Sequence, residues 1–440
     1  MTSTAGPDRD HTVISGMAVE APGGIDTLGS YWSALVNSRE LISPFPRDRD
    51  WRIEELLSLG NIEGWGQVSD AGGFLERIAD FDPSFFGISQ REALGSDPQQ
   101  RVGLRVAWRA LENAGVNPGT LDGADAGCYI GASPMEYGPR LSQVNEHSGF
   151  RTVGAGQLGV AGRISHALGL TGPSMCVDSA CASSLTALHL AVSAVRNGEC
   201  EWAVAGAVCV MSSPMAFYEF AKNGALAPDG HCRAYSDDAA GTLWGEGAVA
   251  LLIEPESRAR RLGHPIYGRV LASYTNHNGK GRPILVPRAD AQEKLVRRTV
   301  QLAGIDPACI GMIEGHGTAT RAGDVAELTA LQNTYGTASG DPVLGSVKSN
   351  VGHAQAAAGM LGLAKLLLAG RHGEIPPTLY ADNPTTRVDW NRSSLRLATT
   401  VEPWKPTDGV RYGAVSSFGA GGANAHAVIA IPPHEENDHF

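Results

Sequence analysis

Apolar and β-branched residues along the chain collect into short runs bounded by Gly or Pro. These alternate with stretches in which apolar positions recur every three or four residues. The runs 12–19, 127–132, 174–178, 202–211, 248–253, 310–314 and 427–431 predict strands. Leu185, Leu188, His189, Val192 and Val195 follow the i, i+3, i+4, i+7 spacing of one helix face, and Asn197-Gly198 supplies its stop. Further helices are predicted over 290–303, 324–331 and 356–369. The alternation predicts an α/β layered fold. No linker interrupts it. The seam is placed at 263–265, after the charged cluster 258–261, giving halves over 11–262 and 263–431, with 1–10 and 432–440 as flexible tails.

Composition narrows the function classes. The 440 residues are 42% hydrophobic and 18% charged, as in a compact globular protein. A formal net charge of -11 argues against a nucleic-acid partner, since no broad basic field is available to neutralise phosphates. Seven cysteines without a CxxC pair fit neither a disulfide framework nor a zinc module, which points to a reducing compartment and to no bound metal. The first ten residues are polar, and no apolar run reaches the roughly 18 residues that a spanning helix needs. The expectation is a cytoplasmic protein that does not enter the membrane.

Three segments carry candidate chemistry. In 177–184 a strand runs through small residues into a helix, so Cys181 stands on a sharp turn at a helix N-terminus. There the helix dipole favours a thiolate and backbone N–H groups can hold an oxyanion. The bland alternative is a buried cysteine acting as a small hydrophobe; Cys176, inside the apolar run, fits that description. In 314–320, His316 lies between two glycines at a strand's carboxyl end, where open α/β sheets bind ligands. In 346–353, His353 precedes the small-residue helix that begins at Ala356. One such histidine is weak evidence, but a cysteine elbow followed by two Gly-adjacent histidine loops signals covalent catalysis with imidazole support. Two other matches are rejected. Gly154–Gly159 spells GxGxxG without a strand before it, and His231-Cys232 lack partners at metal-ligand spacing.

With these segments in view, the chain from about Thr12 to Ile431 resembles a β-ketoacyl synthase of the modular polyketide synthase kind. The segments 81–89 with 97–101, 226–230, 244–247 and 416–426 are similar to further signatures of that family. The resemblance implies a thiolase fold: two pseudo-equivalent βαβαβαββ halves in five layers (α-β-α-β-α), and a homodimer. It makes Cys181 the acyl nucleophile and His316 and His353 the pair that supports decarboxylation and stabilises the enolate. Lys348 matches the family's structural and electrostatic lysine, with Glu327 as its partner. Thr318 and Thr320 match positions touching a phosphopantetheine arm, and Phe418 matches the gate whose N–H joins that of Cys181 in an oxyanion hole. The chain is expected to bind no cofactor of its own. It takes its substrates from the phosphopantetheine arm of a partner acyl carrier protein, with a separate acyltransferase supplying the extender.

The implied activity is decarboxylative Claisen condensation of a carrier-bound malonyl-type extender with the acyl group on Cys181, in polyketide or fatty acid-like biosynthesis. Related branches are separated by single residues. Thiolases keep a second cysteine near the C-terminus, where 419–424 has none; Cys-His-Asn synthases lack the loop carrying His353; decarboxylating loading domains replace the nucleophile by Gln. The alternative is a gating, acyl-transfer or cyclising subunit that does not elongate. Several positions depart from the family pattern. Ser179 and Ala182 alter the elbow lining, Gly315 and Ala319 exchange the usual Ala and Gly around the first histidine, and 279–291 diverges.

Overall fold

A computed structural model describes residues 10–138 and 149–433. The two tails fall outside these residues except for Asp10, Pro432 and Pro433. Asp10 is not frayed, because its carboxylate accepts the Ser257 N–H at 3.0 Å.

In chain order the strands are β1 (Thr12–Glu20), β2 (Ala126–Ala132), β3 (Ser174–Val177), β4 (Trp202–Cys209), β5 (Gly247–Pro255), β6 (Gly268–His277), β7 (Ile310–Glu314), β8 (Val343–Gly345), β9 (Glu374–Ile375), β10 (Arg396–Leu397), β11 (Glu402–Pro403), β12 (Arg411–Phe418) and β13 (Ala423–Ile431). Among the described residues, the helices of more than ten residues are α1 (Pro98–Asn113), α2 (Leu158–Leu168), α3 (Ser183–Asn197), α4 (Ala289–Ala303), α5 (Arg321–Gln332) and α6 (Ala358–His372). Every strand predicted from the apolar runs is present. Two long strands, β6 and β12, and helices α1 and α2 were not predicted.

Apart from the β9–β11 ribbon, the strands join in the order β10-β8-β7-β12-β13-β6-β1-β5-β4-β2-β3. The order repeats itself. In the first half, β1 and β5 are antiparallel, as are β5 and β4, while β4, β2 and β3 run parallel. In the second half, β6, β13, β12, β7 and β8 follow the same sequence of antiparallel and parallel steps. The halves meet through β1 and β6 at Val13 with Arg269 and Ile14 with Gly268.

Helices α3 and α6 lie against each other and against strands of both halves, α3 on β2, β4, β6 and β13, and α6 on β5, β7 and β12. On the outer faces, α1 and α2 cover the first half, while α4 packs on β6 and β13 with α5 beside it. The result is the α-β-α-β-α layering of the thiolase fold. Burial on two faces explains why the strand sequences are almost continuously apolar: every residue of β4 and all but the last of β5 are buried. The central helices cross closely because their facing residues are small. A Cβ at Gly359 would lie 2.7 Å from Ser184 Oγ and 2.8 Å from Leu185 Cγ.

Candidate active site

The carboxyl ends of the parallel strands β12, β7 and β8 point to one edge of the second half, where Phe418 ends β12 and the loops leaving β7 and β8 carry His316 and His353. The first half supplies Cys181 from the turn between β3 and α3. That turn is built by its own side chains. Asp178 accepts the Ala180 N–H at 2.9 Å, Ser183 Oγ donates to the Ala180 carbonyl at 2.6 Å, and the Ser179 N–H donates to Ser183 Oγ at 2.9 Å. These bonds hold Ala180 at φ +52°, a left-handed conformation that costs a non-glycine residue about 1 kcal/mol or more. Ser179 is accommodated by Thr186, 2.9 Å away, and the Ala182 methyl is fully buried.

Strand β12 is stitched to this elbow. Ser417 Oγ donates to the Cys181 carbonyl at 2.6 Å, and Gly419 passes so close to the Ser179 carbonyl that a Cβ there would overlap it. His353 is pinned from another side. Its N–H donates to Leu243 O at 2.6 Å, and its carbonyl accepts the Gly245 N–H at 3.0 Å. The Trp244 ring lies 5.1 Å from the His353 ring.

Cys181, His316, His353, Thr318, Thr320 and Phe418 line one cavity of about 400 Å³. The two imidazoles stand edge to face with centroids 5.3 Å apart, and Phe418 lies 5.5 Å from His316. Thr318 and Thr320 hydroxyls are 3.0 Å apart. Lys348 and Glu327 sit behind the wall, each 2% exposed. Clefts of about 550 and 570 Å³ elsewhere are lined by no cysteine.

The electrostatics follow from burial. Both histidines are held well below their ordinary value of 6.5, first by desolvation and then by the charge of Lys348. They are neutral imidazoles near pH 7. The Gln355 N–H donates to His353 Nδ1 at 3.1 Å, which places the proton of that ring on Nε2. Cys181 overturns the expectation of a thiolate favoured by the helix. Desolvation pushes its thiol up to about 11, and Lys348 and two backbone N–H groups only partly offset this. The side chain nevertheless keeps a partly exposed face on the cavity.

Two further placements bear on the expected site. The backbone donors that reach the sulfur are those of Cys181 itself and Ala420, whereas Phe418 is a strand residue in register with Asn424. The Ala420 N–H beside the sulfur lies in the Gly-rich turn 419–422, two residues after Phe418. Glu327 forms no ion pair with Lys348 within 4 Å among the described residues. Its oxygens are occupied by the His316 N–H at 2.6 Å, the Gly317 N–H at 2.8 Å and the Tyr235 hydroxyl at 2.9 Å. Burial lowers the Lys348 value, and Glu314 opposes this more strongly than Glu327 does. Sequence reasoning also missed the buried ion pair between Lys365 and Glu314, 2.9 Å apart though not aligned as a hydrogen bond.

The rejected motifs have ordinary settings. Gly154–Gly159 spans the junction of a helical turn and α2. His231 bonds Glu40 and Tyr380, and Cys232 is buried beside Ala239, Leu243 and Ala319. Among the described residues, no group of three or more His, Cys, Asp and Glu is placed to hold a metal, and no helix is long and apolar enough to cross a membrane.

Comparison with known proteins agrees with this geometry. The family described as "Beta-ketoacyl synthase, N-terminal domain" matches residues 10–259, and "Beta-ketoacyl synthase, C-terminal domain" matches 267–382. Polyketide synthase GfsA of Streptomyces halstedii is 43% identical over 94% of the chain, and pikromycin polyketide synthase component PikAII of Streptomyces venezuelae is 42% identical over 98%. The chain spans only 6% of the first of these relatives and 12% of the second. Among solved structures, the oxazolomycin ketosynthase domain OzmH KS7 of Streptomyces albus superposes with a TM-score of 0.90 at 37% identity, over 97% of this chain and 77% of that one. The ketosynthase from module 6 of the bacillaene synthase of Bacillus subtilis gives 0.86 at 35%, over 97% and 73%.

Proposed function

Because the chain belongs to the β-ketoacyl synthase family, we propose that it elongates acyl chains in polyketide assembly by decarboxylative condensation on Cys181. The observation that carries this reading is that one thiol and two neutral imidazoles share a single cavity wall.

In the first half-reaction the Cys181 sulfur attacks the carbonyl of an acyl thioester. Its proton passes to the departing pantetheine sulfur as the old C–S bond breaks. The N–H groups of Cys181 and Ala420 hold the oxyanion. A thiol of high pKa suits this exchange, because no free thiolate need be stored in an apolar site. In the second half-reaction the carboxylate C–C bond of a malonyl-type thioester breaks and carbon dioxide leaves. The electron pair becomes an enolate, whose oxygen accepts imidazole N–H groups of His316 and His353. The enolate carbon attacks the acyl-Cys181 carbonyl, the C–S bond breaks, and the released sulfur takes up a proton from solvent.

Both thioesters arrive on the phosphopantetheine arm of an acyl carrier protein, whose amides meet Thr318 and Thr320, and a separate acyltransferase loads the extender. The protein works as a homodimer in the cytoplasm. Support for the dimer is the exposed edge strand β3, where Met175 is 43% exposed. The repeated strand order supports 11–262 and 263–431 as its two halves.

The test is an assay with purified acyl and malonyl carriers, read by intact mass. The native chain is expected to take up the acyl group and to yield a product longer by one extender unit. Cys181→Ala should not be acylated, whereas His316→Ala and His353→Ala should be acylated without extending. Acyl transfer without extension by the native chain would instead assign a gating role.

A further inference from the structure

Behind His316 lies a buried tyrosine that the reaction scheme does not use. Tyr235 is held at φ +63° by two bonds, its N–H to Asp324 Oδ2 at 2.8 Å and its carbonyl from the Thr385 N–H at 2.8 Å. Its hydroxyl donates to Glu327 Oε2 at 2.9 Å, on the same carboxylate that accepts the N–H groups of His316 and Gly317. One buried carboxylate thus collects three donors, two of them from the backbone of the catalytic loop. The ring is also keyed into that loop by shape. A Cβ at Gly315 would overlap Tyr235 Oη, and one at Gly317 would lie 2.9 Å from Tyr235 Cζ. The hydroxyl therefore fills the space that an alanine methyl at 315 takes up.

We propose that Tyr235 is a positioning residue for His316, acting through Glu327, and that Tyr235 and Gly315 form a matched pair in which each is tolerated because of the other. The inference rests on the role given to His316 in extension. Loss of the hydroxyl removes one of the three donors from Glu327 and opens a void beside Gly315, so the loop loosens where the imidazole must meet a developing oxyanion. The acyl-transfer step, which uses the elbow and the Ala420 turn, does not depend on this brace.

The experiment compares Tyr235→Phe, Gly315→Ala, the double variant and His316→Ala. It follows acylation of Cys181 by intact mass, kcat and KM for extension with the malonyl carrier, and thermal unfolding. In Tyr235→Phe, acylation should stay within about twofold of native while kcat for extension falls about tenfold at little-changed KM. Gly315→Ala alone should lose extension about a hundredfold or fail to fold. Adding Tyr235→Phe should bring it back to the level of the single Phe variant.

The inference is overturned by native extension in Tyr235→Phe, by acylation and extension falling together with the unfolding temperature, or by a double variant no better than Gly315→Ala. Should His316→Ala itself extend normally, it is the reading of the active site that fails. Should His316→Ala lose extension while Tyr235→Phe keeps it, only the brace is wrong.

Discussion

Cys181 stands between opposed influences: a helix N-terminus, two N–H groups and a buried lysine favour the thiolate, while desolvation favours the thiol and wins, placing the group at about 11. Its reactivity should therefore climb through the alkaline range. Alkylation by iodoacetamide, followed at the Cys181 peptide, is expected to rise about tenfold per pH unit from 7 to 10 without a plateau. A plateau near pH 8 would mean that the dipole outweighs burial. The neighbouring Ala180 gives a second test. Its φ of +52° suits glycine, and its side chain is only half-buried, so Ala180→Gly should raise stability by roughly 0.5–1 kcal/mol in chemical denaturation while slowing acylation through a looser elbow. A lower denaturation midpoint would show that the bonds from Asp178 and Ser183 leave no strain to release. At this scale the residues that meet at the cavity, Cys181 and both histidines, were legible, because each lies in a short segment whose flanking residues build its turn. Ala420 was not, since what matters is its N–H, and a backbone group leaves no side-chain signal.

Strands, helices and the buried pairs between them form the next scale. Glu314 ends β7, accepts the Val347 N–H at 2.6 Å with one oxygen and faces Lys365 of α6 with the other, so a single carboxylate ties β7, the loop before Lys348 and the central helix. Lys365 is fully buried, and removing one member of such a pair leaves the other charge unmatched. Lys365→Met should cost about 3–5 kcal/mol of stability. In a double variant, Glu314→Gln should recover only part of this, because the amide oxygen still serves Val347 while Lys348 loses its strongest neighbouring carboxylate; denaturant midpoints of the three proteins check both statements. A single-variant cost below about 1 kcal/mol would show that water already screens the pair. Element prediction succeeded where burial on two faces makes a strand uniformly apolar, as in β4 and β5. It missed β6, whose sequence alternates buried with half-buried positions from Gly268 to Ser273 and is half-buried or exposed beyond, so it reads as polar. It also missed α1, although Asp97 caps it and Pro98 stands at its first turn, because its buried face includes Gln99 and Gln100.

For the whole molecule, the question is whether two halves with the same strand order are two folding units. Their sheets pair through Val13 and Ile14 with Arg269 and Gly268, which by itself would be a weak joint. The central helices decide otherwise. Helix α3 belongs to the first half and α6 to the second, yet each packs on strands of both, burying Leu185, Leu188 and Val192 from one and Leu361, Leu363, Leu366 and Leu367 from the other. Full exposure of such a side chain forfeits about 1.5–3 kcal/mol, or roughly 10–20 kcal/mol for all seven, so separating the halves and baring them forfeits as much as the roughly 5–15 kcal/mol that holds a typical domain together. Neither half is then stable alone. Calorimetry of the native chain should show one cooperative transition. Fragments 1–262 and 263–440 should each lack protected amides in hydrogen exchange when produced separately, and regain them when produced together. Two resolved transitions, or a well-protected fragment, would mean that the middle layer can be divided between the halves. The cavity, with its thiol from one half and its imidazoles from the other, would then be an interface assembled after folding, where the packing of α3 on α6 requires that it form in the same step.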